Sequence, residues 1–132
     1  METELTIQQV AALTGLSMHT LRYYERIGLL DPIHRASSGH RRYSEGDIAW
    51  IEFLMRLRAT GMSICKMQQF ADLRRQGPTT IGERSALLEA HSQDVQHHLQ
   101  ELHDHLAAIE KKMKLYQELE QTYDTAREYQ KT

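Results

Sequence analysis

The stretch TLRYYERIGLL, Thr20–Leu30, decides how this chain is interpreted. On a helix over residues 17–27, Leu21 and Tyr24 share one face because they lie three positions apart. Tyr23 falls on the other side, flanked by arginines. We therefore expect Tyr24 to pack inward and Tyr23 to face outward. The competing interpretation is that Tyr23 also packs, against the preceding helix.

The residues before this stretch predict a shorter helix over 5–14. Thr6 and Gln9 suit a capping box at its start, and Gly15 suits its end. Ser17 is then placed to cap the second helix. Two short helices joined by a tight turn that contains glycine are typical of a helix-turn-helix.

A basic segment follows the second helix. Residues 30–43 contain a Ser-Gly turn between short stretches able to pair, which predicts a β-hairpin or an extended wing. A recognition helix with a basic wing suits DNA, because its side chains donate to phosphate oxygens and base edges. On the second helix, the side chains expected to face DNA are Ser17, His19, Thr20, Arg22 and Tyr23. On the wing they are His40, Arg41, Arg42 and Tyr43.

Two further helices are predicted before the dipeptide Gly77-Pro78, one over 44–60 and one starting at Ser63. Ser44 and Asp47 suit the start of the first of these helices, because their side chains can satisfy free backbone N–H groups. Gly77-Pro78 ends the second and is the clearest boundary in the chain.

Beyond that boundary, apolar residues recur every seven positions, with a second row four positions later, which is typical of a coiled-coil seam. A helix over 81–119 would be about 58 Å long at 1.5 Å per residue, too long to bury its stripe against a small domain. A second copy of the chain is the simplest partner. The predicted dimerisation residues are Leu88, Val95, Leu99, Leu102, Leu106, Ile109, Met113 and Tyr116.

The predicted organisation therefore has four parts and is mainly α-helical. A winged helix-turn-helix domain with a helical linker region occupies 1–76, and a connector occupies 77–80. A coiled-coil dimerisation helix occupies 81–123, and a frayed tail occupies 124–132.

The charge distribution agrees with a local basic surface. The 132 residues carry a net charge of −2, but within 15–43 five arginines stand against only Glu25 and Asp31. Residues 77–132 hold 6 Lys/Arg and 10 Asp/Glu. Salt screens charges more than about 10 Å apart, so a basic face can bind phosphates on an acidic molecule.

Other classes of protein are not favoured by the sequence. No apolar run approaches the roughly 20 residues of a membrane span, and the N-terminus lacks a signal pattern. The single cysteine, Cys65, fits a reducing cytoplasm. There is no nucleophile–base pair and no glycine-rich phosphate loop, so we expect neither an enzyme nor a bound cofactor or metal.

The sequence resembles the MerR family of bacterial transcription regulators. The resemblance lies in Leu21-Arg22-Tyr23-Tyr24-Glu25, Gly28-Leu29-Leu30, Pro32, Arg35, Gly39-His40-Arg41-Arg42-Tyr43 and Asp47, and it covers residues up to about 75. It implies a winged helix-turn-helix domain, a helical linker and a homodimer joined by an antiparallel coiled coil. It also implies DNA contacts by Thr20, Arg22 and Tyr23, and wing contacts by Arg35, Arg41, Arg42 and Tyr43.

The resemblance further implies a mechanism. Such dimers bind double-stranded promoter DNA whose −35 and −10 elements are too far apart for RNA polymerase, and they distort the spacer in response to a signal. The alternative is a DNA-architectural or recombination accessory protein of winged-helix type. Proteins of that kind are usually short and lack the long dimerisation helix.

Two groups of residues are candidates for the signal. Within the family the chain looks most like the short aldehyde- and thiol-stress subgroup, but Arg56 occupies the position of its usual cysteine. Cys65 follows a helix start and precedes Lys66, which favours a redox-active thiolate; the alternative is an unreactive, partly buried cysteine. His91, His98 and His105 recur every seven residues and suggest a metal or pH response, against a simple solvated flank.

Overall fold

The computed structural model describes residues 4–33, 35–37, 39 and 42–130. The helices are α1 (Ile7–Thr14), α2 (Met18–Arg26), α3 (Glu45–Ala59), α4 (Ile64–Gln76) and α5 (Ile81–Gln130), with a 3₁₀ turn at Pro78–Thr80. The predicted mainly α fold is confirmed. The chain divides into two compact units, Met1–His91 and Ser92–Thr132.

Side-chain caps set where the first four helices begin. Thr6, Ser17, Ser44 and Ser63 each accept a hydrogen bond from the backbone N–H three residues ahead, at 3.0 to 3.2 Å. The side chains of Gln9 and Asp47 in turn accept hydrogen bonds from the backbone N–H groups of Thr6 and Ser44, which completes two capping boxes. The predicted caps are therefore confirmed, and a turn of three residues, Gly15 to Ser17, joins α1 to α2.

The core of the first unit lies between these helices. Val10, Leu21, Ile51 and Leu54 are fully buried there. Trp50 stacks on Phe70 with ring centroids 5.8 Å apart. Leu13, another apolar residue of α1, is 60% exposed. The reason is that the buried stripe of α1 runs through Val10, with Ile7 and Ala11 partly buried at its sides.

The predicted hairpin differs from the structure. In the described part of residues 30–43 there is no strand; Tyr43 forms an isolated antiparallel bridge with Leu5. The N–H of Gly39 donates to the carbonyl of Ala36 at 2.8 Å, which closes a turn in which Gly39 has φ +85°. The segment is therefore an extended wing attached at its end to the start of α1.

Polar contacts from α4 hold the end of α2. Gln68 Nε2 donates to the carbonyl of Ile27 at 2.9 Å. Arg75 donates to the carbonyl of Gly28 and to the Asp31 carboxylate, where Nε and Oδ1 are 2.6 Å apart. These bonds satisfy carbonyls at the helix end and fix the direction of α2.

In the second unit, α5 continues as a helix to Gln130. Its apolar side chains are open to solvent: Leu102 is 50% exposed, Ile109 57% and Tyr116 59%. Leu88, which lies in the first unit, is partly buried against the core there. The predicted domain limits and the fraying after Tyr123 stay predictions. Within the described residues, no helix has the length and apolar character needed to cross a membrane.

Candidate nucleic-acid interface

The two adjacent tyrosines of α2 face different environments. Tyr24 is 7% exposed and belongs to the core, whereas Tyr23 is 39% exposed. The Arg26 guanidinium lies 5.6 Å from the centre of the Tyr23 ring. The expectation that Tyr24 packs and Tyr23 faces outward is confirmed, and the outer face of α2 is both aromatic and cationic.

The start of α2 presents small polar groups next to this face. Ser17 Oγ accepts from the backbone N–H of Thr20 and lies 2.9 Å from Thr20 Oγ1. Ser17 and His19 are exposed, and Thr20 is half-buried. A helix N-terminus carries a partial positive charge, so this end of α2 favours a phosphate oxygen.

Three arginines converge on one concave surface, which we call the arginine concavity. Arg22 of α2, together with Arg35 and Arg42 of the wing, lines it. The rest of its described lining is Thr6, Ile7, Gln8, Met18 and Gly39, and this set holds no carboxylate. The concavity therefore concentrates positive charge where α2, the wing and the N-terminus of α1 meet, a combination suited to a backbone phosphate.

Local contacts fix this geometry. Arg35 Nη1 donates to the carbonyl of Gly39 at 3.1 Å, across the wing turn. Leu5 and Tyr43 exchange two backbone hydrogen bonds of 2.8 Å each. The end of the wing is thereby attached beside Thr6 and Ile7, which line the opposite side of the concavity.

Tyr43 needs a correction. The sequence predicts that its side chain faces DNA, but in the structure it is fully buried in the core. Its role in the structure is to anchor the wing, so that the preceding residue, Arg42, reaches the concavity. His40 and Arg41, the other predicted wing contacts, lie outside the described residues.

The start of α1 was not identified as part of this site from the sequence. In the sequence, Thr6 has only the pattern of a helix cap, and Gln8 and Met18 belong to no motif. The available signal was the cap itself, since a capped helix start beside a basic segment is an anion-binding feature. Its proximity to the wing depends on the pairing of Leu5 with Tyr43, which a local pattern does not reveal.

The candidate sensor residues lie elsewhere. Cys65 is exposed at the start of α4, which differs from the partly buried alternative. His91 Nε2 lies 2.7 Å from Thr60 Oγ1. His97 contacts Glu101 at 2.9 Å on the surface of α5. Across the described ranges, no three His, Cys, Asp or Glu side chains are grouped as metal ligands would be.

Comparison with known proteins points to one kind of regulator. The family model described as "MerR HTH family regulatory protein" matches residues 5–73, and "MerR, DNA binding" matches residues 48–111. An uncharacterised HTH-type transcriptional regulator of Haemophilus influenzae is 36% identical over 112 residues, 85% of this chain and 83% of that one. The HTH-type transcriptional regulator AdhR of Bacillus subtilis is 44% identical over 84 residues, 64% of this chain and 60% of that one.

A solved structure agrees in fold. It is that of HiNmlR, described as a MerR family regulator lacking the sensor domain and bound to promoter DNA. It superposes with a TM-score of 0.82 at 34% sequence identity, covering 88% of this chain and 92% of that one.

Proposed function

The chain belongs to the MerR family of helix-turn-helix regulatory proteins, and from this premise we propose that it is a homodimeric transcription regulator that binds promoter DNA and distorts the −35 to −10 spacer in response to a signal. The observation that carries the proposal is the arginine concavity beside the exposed Tyr23 face. In HiNmlR, a similar fold is bound to promoter DNA.

The exposed side of α2 and the wing have different roles in DNA recognition. The exposed side of α2, with Thr20, Arg22 and Tyr23, enters the major groove and contacts base edges. Arg35 and Arg42 contact the backbone on the wing side, because a guanidinium donates to phosphate oxygens with two parallel bonds. The phosphate contacts set the position of the protein, and the α2 contacts set the sequence that it selects.

The second copy supplies a second reading surface. The large apolar side chains of α5 from Leu99 to Leu119 are 45% to 59% exposed, and pairing with another α5 removes them from water. Two identical α2 helices then face half-sites about one helical turn, or a multiple of it, apart. The target is therefore a pseudo-palindrome.

Distortion of the spacer depends on whether protein–DNA contacts offset the free energy needed to bend the duplex. Bending a short duplex costs on the order of 1–6 kcal/mol, which additional phosphate contacts offset. A spacer that is too long for RNA polymerase becomes usable when the bend and twist bring both promoter elements onto one face. RNA polymerase is thus a partner through the shared promoter.

Selection from a random duplex library tests sequence recognition. We expect enrichment of a pseudo-palindrome by the full chain, with much weaker enrichment for Arg22→Ala. Arg56→Ala is the matched control, because Arg56 is also an exposed arginine but does not line the concavity. Permanganate footprinting on the selected site then tests whether spacer bases become unstacked.

Two outcomes would contradict the proposal. Binding without any enriched sequence would favour the architectural alternative. Equal enrichment by Arg22→Ala and the parent chain would remove α2 as the reading element.

A further inference from the structure

We propose that Arg75 of α4 is a positioning residue for DNA recognition, which holds the junction between α2 and the wing and thereby sets how strictly the regulator selects its DNA sequence. We call the segment 27–31 the joint, because α2 ends and the wing begins there. The inference rests on the proposed function and adds a residue that does not line the arginine concavity.

The backbone at the end of α2 satisfies only part of its own carbonyl groups. The N–H groups of Gly28 and Leu29 donate to the carbonyls of Glu25 and Tyr24, at 3.2 Å and 2.9 Å, and Gly28 has φ +83°. This pattern is a Schellman motif, which ends a helix and satisfies carbonyls of its last turn. The carbonyls of the joint itself follow this motif.

Side chains of α3 and α4 satisfy the next three carbonyls. The carbonyls of Ile27, Gly28 and Leu29 accept hydrogen bonds from donors that are, in the same order, Gln68 Nε2, Arg75 Nη2 and Trp50 Nε1. The first of these bonds measures 2.9 Å and the last 2.8 Å. The direction of the joint therefore depends on two helices that lie behind the DNA-facing side of α2.

Arg75 contacts the joint at two points. Its Nη2 donates to the carbonyl of Gly28, and its Nε lies 2.6 Å from Oδ1 of Asp31. Its Nη1 donates to Asp72, on the same helix, at 2.9 Å. Three donors of one planar guanidinium thus have three fixed partners, an arrangement that the single ammonium of a lysine does not reproduce.

Arg75 is also the member of this group whose role in recognition is separable from folding. Trp50 is 9% exposed and stacks on Phe70, so its replacement would leave a cavity in the core. The side chain of Arg75 is 32% exposed and does not belong to the hydrophobic core. A substitution at Arg75 therefore alters the joint and leaves the core packing in place.

A small tilt at the joint displaces the other end of α2. The helix has 9 residues and spans about 13 Å at 1.5 Å per residue, so a tilt of about 10° moves its start by about 2 Å. Hydrogen bonds to base edges do not survive such a shift, because they require donor–acceptor distances of about 2.7–3.2 Å. Contacts with phosphates are independent of sequence, so non-specific binding persists.

A comparison of specific and non-specific affinity tests the role of Arg75. The specific probe is the duplex that the parent chain selects from the random library, and the non-specific probe is a scrambled duplex of the same length. Arg75→Lys keeps the charge and removes the planar fork. We expect its specific affinity to fall about tenfold, the loss of one base-edge contact, and its non-specific affinity to stay within about twofold of the parent's.

Arg58→Lys is the matched control for this substitution. Arg58 Nη1 also donates to a backbone carbonyl, that of Met62 at 3.4 Å, but it does not contact the joint. We expect this variant to keep the parent's ratio of specific to non-specific affinity.

A second pair of variants tests the joint from its other side. Asp31 and Asp72 both pair with Arg75, but only Asp31 belongs to the joint. Asp31→Asn and Asp72→Asn change the net charge equally. We expect Asp31→Asn to lower the ratio of specific to non-specific affinity and Asp72→Asn to leave it unchanged. Urea denaturation identifies conditions in which every variant is folded.

Three outcomes would overturn the positioning role. They are an unchanged ratio in Arg75→Lys, an equal loss on both probes, which is the result of partial unfolding, and an equal change of the ratio by Asp31→Asn and Asp72→Asn, which is the result of net charge alone. If the parent chain selects a duplex and any of these is found, the proposed function stands without this role of Arg75. If the parent chain selects no duplex, the proposed function fails, and the positioning role fails with it.

Discussion

Leu5 and Tyr43 exchange two backbone hydrogen bonds of 2.8 Å, and this pairing joins the end of the wing to the start of α1. The Tyr43 side chain is fully buried beneath it. Because Arg42 directly precedes Tyr43 and Thr6 directly follows Leu5, the pair holds two sides of the arginine concavity together. The position of the basic groups is thus determined by core packing.

Tyr43→Ala should therefore affect folding and DNA binding together. Removing a buried aromatic ring leaves a cavity, and we expect a loss of about 3–5 kcal/mol in the free energy of unfolding. DNA affinity should fall as well, because the wing loses its anchor. Urea denaturation and gel retardation measure the two effects. An unchanged free energy of unfolding would contradict the conclusion that the Tyr43 side chain packs in the core.

Arg42→Ala should weaken DNA binding and leave the stability of the fold almost unchanged. Arg42 lines the concavity and is half-buried, so its removal should change the free energy of unfolding little. Losing one phosphate contact should weaken binding to all sequences and reduce the slope of log affinity against log salt by about one. Affinity measured at several salt concentrations provides the slope.

Arg56→Ala is the control for this measurement, since it removes one charge without touching the concavity. Equal salt slopes for the parent chain, Arg42→Ala and Arg56→Ala would show that Arg42 contacts no phosphate. A slope reduced equally by both substitutions would mean that net charge, and not the concavity, determines binding.

The sequence predicts local features of this fold well and distant pairings poorly. The caps at Thr6 and Ser17 follow from residues within one helical turn, and the opposite orientations of Tyr23 and Tyr24 follow from helical periodicity alone. The burial of Tyr43 does not, because it depends on Leu5, which is far away in the chain. A basic, aromatic segment is equally consistent with an exposed wing side chain and with a buried anchor.

The same limit applies to the contacts around the interface. Arg75 satisfies the carbonyl of Gly28 and pairs with Asp31, residues separated from it by all of α3. No periodic sequence pattern indicates these hydrogen bonds of Arg75, because they depend on the core packing that places α4 beside the end of α2. The basic segment predicts a DNA contact by Arg42 and the family resemblance implies one by Arg35, but the convergence of both with Arg22 depends on the tertiary structure.

Ser17→Ala and Ser63→Ala form a matched pair. Each serine is exposed and accepts one capping bond from a backbone N–H, at 3.0 Å and 3.2 Å respectively, and Ser17 Oγ also donates to Thr20 Oγ1 at 2.9 Å. Losing either cap should cost about 1 kcal/mol of the free energy of unfolding. Only Ser17 lies beside the DNA-facing side of α2, so only Ser17→Ala should weaken DNA binding beyond its effect on stability. Equal DNA affinities for the two variants, measured where both are folded, would remove Ser17 from the interface.

Cys65 provides the last prediction, which concerns the signal. Its thiol is exposed on α4, away from the residues that line the concavity. We expect it to react with a maleimide in the folded chain at the rate of a model thiol, and we expect Cys65→Ser to change the free energy of unfolding by less than about 0.5 kcal/mol. Peroxide should then leave DNA affinity unchanged in both proteins. A loss of affinity in the parent chain that is absent from Cys65→Ser would contradict this and assign the redox response to this thiol, whereas equal losses would place the oxidised group elsewhere in the chain.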